Sequence, residues 1–180
     1  ACYLTHSSIE AALHLRDQEK VEAEKIEQIE VLVPRGHLDV CNISEPSTGL
    51  EGKFSLRATV AMALVGVDTT DTRVFTDEQM RDPALLRLRD VVTVTPSQEV
   101  SGTQSKVSVR LPDGNWLYAA ADTGVPATDY ELQWERLTGK FIGLAAPVIG
   151  EARAWEVHAY VHKLEELKEV GLLLALVREP

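Results

Sequence analysis

Residues 106–111 alternate apolar and polar side chains, and Pro112-Asp113-Gly114-Asn115 turns the chain from them into Trp116–Ala121. Successive side chains of a strand point to opposite faces, so the alternating run has one face to bury. The tetrapeptide reverses the chain: proline presets φ, glycine accepts positive φ, and the Asp and Asn side chains bond nearby N–H groups. Such a hairpin is marginal alone and needs more strands or a helical layer.

Both are predicted. Residues 28–33 alternate around Ile29, Val31 and Val33 before Pro34 and Gly36, and residues 91–95 alternate as well. Residues 37–43 are expected to extend the first strand after a bend. Helix starts are marked by Ser7-x-x-Glu10, Thr48-x-x-Glu51, Thr76-x-x-Gln79 and Thr128-x-x-Glu131, and by Asp82-Pro83, an N-cap followed by proline at the first helical position. Residues 7–18 therefore read as an amphipathic helix with a charged end over 17–25. A helix opening at Thr48 and running to Gly66 is apolar on most faces and should be the most buried. The Thr128 helix should end at Pro147 and Gly150, followed by a stretch over 151–176 broken near Gly171. This order predicts an α+β fold, a two-layer sandwich of an antiparallel sheet with helices packed on one face, as one domain over residues 1–180.

With 44% hydrophobic and 26% charged residues, the 180-residue chain has the composition of a folded protein. Its 28 acidic against 18 basic residues give a net charge of -10, which argues against a nucleic-acid partner, and no apolar run is long enough for a membrane span. Two cysteines make no disulfide framework and no leader pattern opens the chain, so a cytoplasmic location is expected. The opening at Ala1, without a linker, suggests a missing upstream portion. No Gly-rich phosphate loop or internal repeat occurs.

Candidate chemistry is sparse. Cys2, Thr5, His6 and Ser7 cluster at a helix entry, where unpaired N–H groups and the dipole favour a carboxylate, although one hydroxyl is needed there as a cap. Lys53 is placed by the Thr48 box in the first turn of a helix, where the macrodipole disfavours a cation. It either reaches an anion, pairs with Glu45 or Glu51, or lies exposed over apolar surface. His158 and His162 stand four apart on a helix without an acidic third ligand or an HExxH pattern, and read as a surface pair; no metal and no cofactor is expected. Cys41 reads as a small buried hydrophobe, and Trp116 with Tyr118 as sheet packing.

Ala1-Cys2-x-x-Thr5-His6 before a helix, the Ile29-Glu30-Val31 strand, Glu51-Gly52-Lys53-Phe54-Ser55-Leu56, and Lys140-Phe141 in a later helix together resemble the C-terminal domain of the MmgE/PrpD family, which includes 2-methylcitrate dehydratase. The resemblance runs over essentially the whole chain. It implies a two-domain enzyme in which a helical N-terminal domain and an α+β domain enclose a pocket for small di- or tricarboxylates. Family chemistry includes dehydration of 2-methylcitrate, decarboxylation of cis-aconitate and epimerisation of iminodisuccinate. Carried over residue by residue, it marks His6 and Lys53 as catalytic and Cys2, Thr5 and Ser55 as substrate-binding. It also implies a lysine ahead of the Cys2 position and helical-domain aspartate and histidine residues, none of them in this sequence. After Leu56 the family commonly continues Pro-Tyr; here Arg57-Ala58 follows, which changes the charge beside the pocket.

Two readings follow. One is an enzyme part, a lyase that removes a proton next to a carboxylate and needs a helical partner domain in the same or another chain, working as a homo-oligomer. The other is a non-catalytic module that binds a small acid or dimerises.

Overall fold

The structure, a computed structural model, describes residues 1–178, so the last two positions of the expected domain lie outside it. The chain forms two compact units, Ala1–Pro126 and Ala127–Pro180.

In the first unit, β1 (Gln28–Val33), β2 (Val92–Pro96), β3 (Gln104–Arg110) and β4 (Trp116–Asp122) form one sheet in the order β2-β1-β3-β4. The predicted hairpin is there. Gly114 has φ of 84°, its N–H donates to the Leu111 carbonyl at 2.9 Å, and the Asp113 carboxylate accepts from the Asn115 N–H at 3.0 Å. The β1–β3 and β3–β4 pairings are antiparallel, but β1 and β2 run parallel, with Ile29 opposite Val92 and Val31 opposite Val94. The sheet is therefore mixed rather than antiparallel. The helices between β1 and β2 carry the chain back to the end where β1 began, and the next strand enters in the same direction.

Alternation decides which face is covered. Ile29, Val31, Val33, Ser105, Val107, Val109 and Ala119 are buried, and the helices α1 (His6–Asp17) and α4 (Leu56–Leu64) pack against this face. Trp116 and Tyr118 point to the opposite, exposed face instead of packing in the core, and Lys106 Nζ lies 4.9 Å from the Tyr118 ring centre. In α4 every residue but Arg57 is buried.

The Ser7-x-x-Glu10 pattern does not cap α1. A 3-10 turn, Tyr3–Thr5, runs straight into the helix and the His6 N–H already bonds the Tyr3 carbonyl, so the helix begins at His6 and Ser7 lies inside it. The Ser7 hydroxyl shares a 2.7 Å hydrogen bond with Ser105 of β3, to which Ser8 donates at 3.1 Å, all three being buried. Ser105→Ala should cost about 1–3 kcal/mol in urea unfolding, because two buried hydroxyls lose their shared partner; adding Ser7→Ala and Ser8→Ala should recover part of that loss.

Residues 37–43 do not extend β1. A short helix, α2 (Arg35–Leu38), starts right after Pro34, burying the His37 ring with Nε2 3.0 Å from the Gly102 carbonyl; only Asn42 pairs, in an isolated antiparallel bridge to Ser55.

The Thr48 box forms with both halves present but opens only α3 (Gly49–Gly52), and a second start at Ser55 opens α4. The Glu51 carboxylate accepts from the Ser47 N–H and hydroxyl and from the Thr48 N–H, which holds it below the usual glutamate value of 4.5. A depressed carboxylate stabilises the fold above its unfolded value, and this is lost as pH falls through the folded one. Glu51→Gln should lower the thermal midpoint near neutral pH, with the gap to the parent closing as pH falls below about 4. The Thr76 hydroxyl accepts from the Gln79 N–H at 3.0 Å, but only the 3-10 turn Gln79–Arg81 follows and its N-cap, Glu78, makes no side-chain capping bond; Asp82 caps α5 (Pro83–Asp90) as expected.

The second unit is helical: α6 (Tyr130–Ile149), α7 (Glu151–His162), the 3-10 turn Leu164–Glu166 and α8 (Val170–Leu176). Asp129, not Thr128, caps α6, accepting from the Leu132 N–H. Pro147 sits within the last turn, and Gly150 closes the helix. The later break falls between His162 and Val170, where the chain forms the 3-10 turn Leu164–Glu166, whereas Gly171 stays inside α8. One glycine costs a helix only about 1 kcal/mol. Among the described residues no helix is long and apolar enough to cross a membrane.

Candidate functional site

The two stretches singled out in the sequence meet through the backbone. The Cys2 N–H donates to the Lys53 carbonyl at 2.9 Å, so the entry to α1 and the end of α3 are joined directly. Alongside, the Leu56 N–H donates to the Cys41 carbonyl at 3.0 Å, and Asn42 bridges Ser55. Segments 2–6, 41–43 and 53–56 thus form one neighbourhood.

Within it the side chains are unequally available. Thr5 is fully buried and its hydroxyl donates to the Cys2 carbonyl at 2.7 Å, bracing the turn that delivers His6. His6 is half-buried at the first position of α1, its ring edge-on to Tyr3 at 5.5 Å. Ser55 is fully buried and its hydroxyl accepts from the Ala58 N–H at 3.1 Å, capping α4. Cys2 is half-buried.

Lys53 is not in the first turn of a helix. It is the C-cap of α3, where the macrodipole favours a cation, so the argument from a misplaced charge does not hold. Its Nζ lies 5.7 Å from the Phe75 ring centre, a cation–π contact, rather than beside Glu45 or Glu51.

One member of this neighbourhood, Phe75, carried no signal in the sequence, and two others, Arg57 and Cys41, were read there without their contacts. Phe75 comes from a loop distant in the chain. Arg57 donates to the Asn42 side-chain oxygen at 3.0 Å, which puts a guanidinium at the edge of the cluster. Cys41 is buried as expected, and burial first, then the nearby Cys2, push its thiol up to about 12.

Other features hold none of these residues. A surface depression is lined by Thr76, Glu78, Gln79, Arg81, Asp82 and Pro83. In the helical unit the His158 and His162 rings lie parallel, 6.5 Å apart, each 5.2 Å from the Trp134 ring. His158 is half-buried and shares a 2.9 Å hydrogen bond with the Thr138 hydroxyl, so only His162 is a surface residue. Among the described residues no group of three His, Cys, Asp or Glu side chains is placed to hold a metal ion.

The MmgE/PrpD C-terminal domain model matches residues 1–166, nearly the full chain. The chain belongs to the MmgE/PrpD family. The match takes in both units of this C-terminal domain and stops ahead of α8, and no curated protein matches the chain.

Proposed function

We propose that this MmgE/PrpD domain forms one wall of a pocket for a small di- or tricarboxylate and takes part in 2-methylcitrate dehydratase-like lyase chemistry. The observation that carries this reading is the Cys2–Lys53 backbone bond, which brings the Thr5-His6 and Lys53-Phe54-Ser55 elements into one neighbourhood. His6 is half-buried, able to bond a substrate while shielded from bulk water, and is assigned the proton transfer next to a carboxylate. Lys53 is assigned to hold the negative charge that develops there, since a fixed cation at a partly desolvated site stabilises it more than water does. Cys2 shapes the pocket. The Thr5 and Ser55 hydroxyls serve mainly the two turns, and reach substrate only through their remaining lone pairs.

A helical domain, in the same or another polypeptide, completes the site. The second unit supports this: among its described apolar side chains only Ala154 and Val157 are buried, while Trp134, Leu137, Leu144, Trp155, Leu172 and Leu174 are exposed. A surface this apolar is the mark of a covered face. The test is an ultraviolet assay of alkene formation from 2-methylcitrate or citrate, using the chain alone and with an MmgE/PrpD helical domain. Turnover only with the partner is expected. Turnover by the chain alone would show that the site is complete without it, and silence in both, with citrate binding retained, would favour a non-catalytic small-acid module.

A further inference from the structure

The two edges of the sheet are finished differently. β2 is five residues long and ends in Pro96, which cannot donate to a ladder. β4 runs seven residues and pairs with β3 in one unbroken register, from Gln104 opposite Asp122 to Arg110 opposite Trp116. It holds no proline, lysine or arginine, and its single charge, Asp122, stands at its end. Among the described residues no strand pairs with its other side. Charges, prolines and bulges are what blunt a free edge, whose N–H and C=O groups otherwise capture another strand. On the outer face Tyr118 is 68% exposed, with Trp116 and Ala120 exposed beside it.

The order of side chains along β4 fits a second copy of itself. Set antiparallel about a two-fold axis at Ala119, the two strands place Tyr118 opposite Ala120, Leu117 opposite Ala121 and Trp116 opposite Asp122. A large side chain meets a small one on either face, and the two Tyr118 rings fall on a diagonal within reach of each other. Charge is complementary as well. Arg110 of β3 lies across from Trp116 and reaches Glu27 of its own chain only at 3.7 Å, while Asp122 of the second copy lies on the other side of Trp116. Acid and base thus share one cross-strand row, twice by symmetry, and no like charges stand opposite. The even-numbered residues of both copies stay on the outer face, so the buried faces remain continuous. We propose that two copies of this chain join β4 to β4, antiparallel and centred on Ala119, extending two four-stranded sheets into one. A seven-residue edge makes a small interface, so the dimer is weak and reversible, with a Kd on the order of 10 μM. The pairing does not rest on the carboxylate reading.

The experiment follows the native 180-residue chain by sedimentation velocity over roughly 1–200 μM, a range that brackets this Kd. Two variants are compared, Tyr118→Glu/Ala120→Glu and Tyr118→Lys/Ala120→Lys, with circular dichroism to check folding. Both positions face solvent, and the acidic variant also gives Lys106 of β3 a carboxylate neighbour, so the fold should be kept. The parent should show a monomer–dimer equilibrium, and amide exchange in residues 116–122 should slow as it dimerises. Each variant alone sets like charges directly opposite and should dimerise about 30-fold more weakly or worse. In an equimolar mixture of the two variants opposite charges face each other, and dimer should return to within about threefold of the parent. A monomeric parent, dimers of unchanged strength in both variants, exchange in 116–122 that ignores concentration, or a mixture that stays monomeric would overturn the proposal. None of these readouts involves a carboxylate substrate, so they stand or fall apart from the enzymatic reading.

Discussion

Gly49→Ala is expected to destabilise the chain by about 3 kcal/mol, a shift of roughly 10 °C in thermal midpoint and a matching loss in urea unfolding. A Cβ at Gly49 would stand 1.9 Å from the Phe75 carbonyl oxygen, 2.4 Å from its carbon and 2.8 Å from the Thr76 nitrogen. These are backbone atoms, so no side-chain rotation relieves the clash. The two segments must separate, stretching the 2.9 Å bond from the Gly49 N–H to the Asp77 carboxylate. Phe75 also lies against Lys53 Nζ, so the same displacement removes the ring that positions the proposed cation. A loss below about 1 kcal/mol would mean that α3 and the Phe75 loop are not held together as described.

His6→Ala, in the chain combined with its helical partner domain, should lower kcat for 2-methylcitrate or citrate dehydration by about 10²–10⁴-fold, the usual worth of a positioned acid–base group. Lys53→Ala should cost a comparable factor, about 10²–10³-fold, through lost charge stabilisation. The Lys53 variant is informative because Cys2 is held by the Lys53 backbone carbonyl, which alanine retains, so the ammonium is removed while the brace stays. Thermal midpoints should move by only a few degrees, since both side chains are partly exposed. Full turnover in either variant would remove that residue from the proposed chemistry.

The fold was legible where the signal is local. Strand positions followed from alternation, the hairpin from the Pro112–Asn115 turn, and α5 from Asp82-Pro83. Capping patterns were a weaker guide: of the Ser/Thr-x-x-Glu/Gln motifs, that at Thr48 caps, Thr76 bonds the Gln79 N–H ahead of a 3-10 turn whose N-cap is Glu78, Ser7 does not cap and Asp129 displaces Thr128. A serine hydroxyl takes whichever buried partner the tertiary structure brings, and Ser105 lies across the sheet interface, outside any local window. The neighbourhood of Cys2 and Lys53, and the added charge of Arg57, could be named from the resemblance to MmgE/PrpD domains, but the resemblance carried no contact distances and no account of Cys41 or Phe75.

Side-chain periodicity and turn chemistry act over a few residues, and they sufficed for the α+β class, for which face of β1 and β3 is buried, and for the burial of α4. The parallel entry of β2, the placing of Lys53 at the C-terminal rather than the N-terminal end of a helix, the meeting of Cys2 with Lys53 and the close approach of Gly49 to Phe75 all depend on contacts beyond any local window. Contacts of that kind arise only when the helices condense on the sheet, because they depend on the path of the intervening chain and on which surfaces its packing brings together.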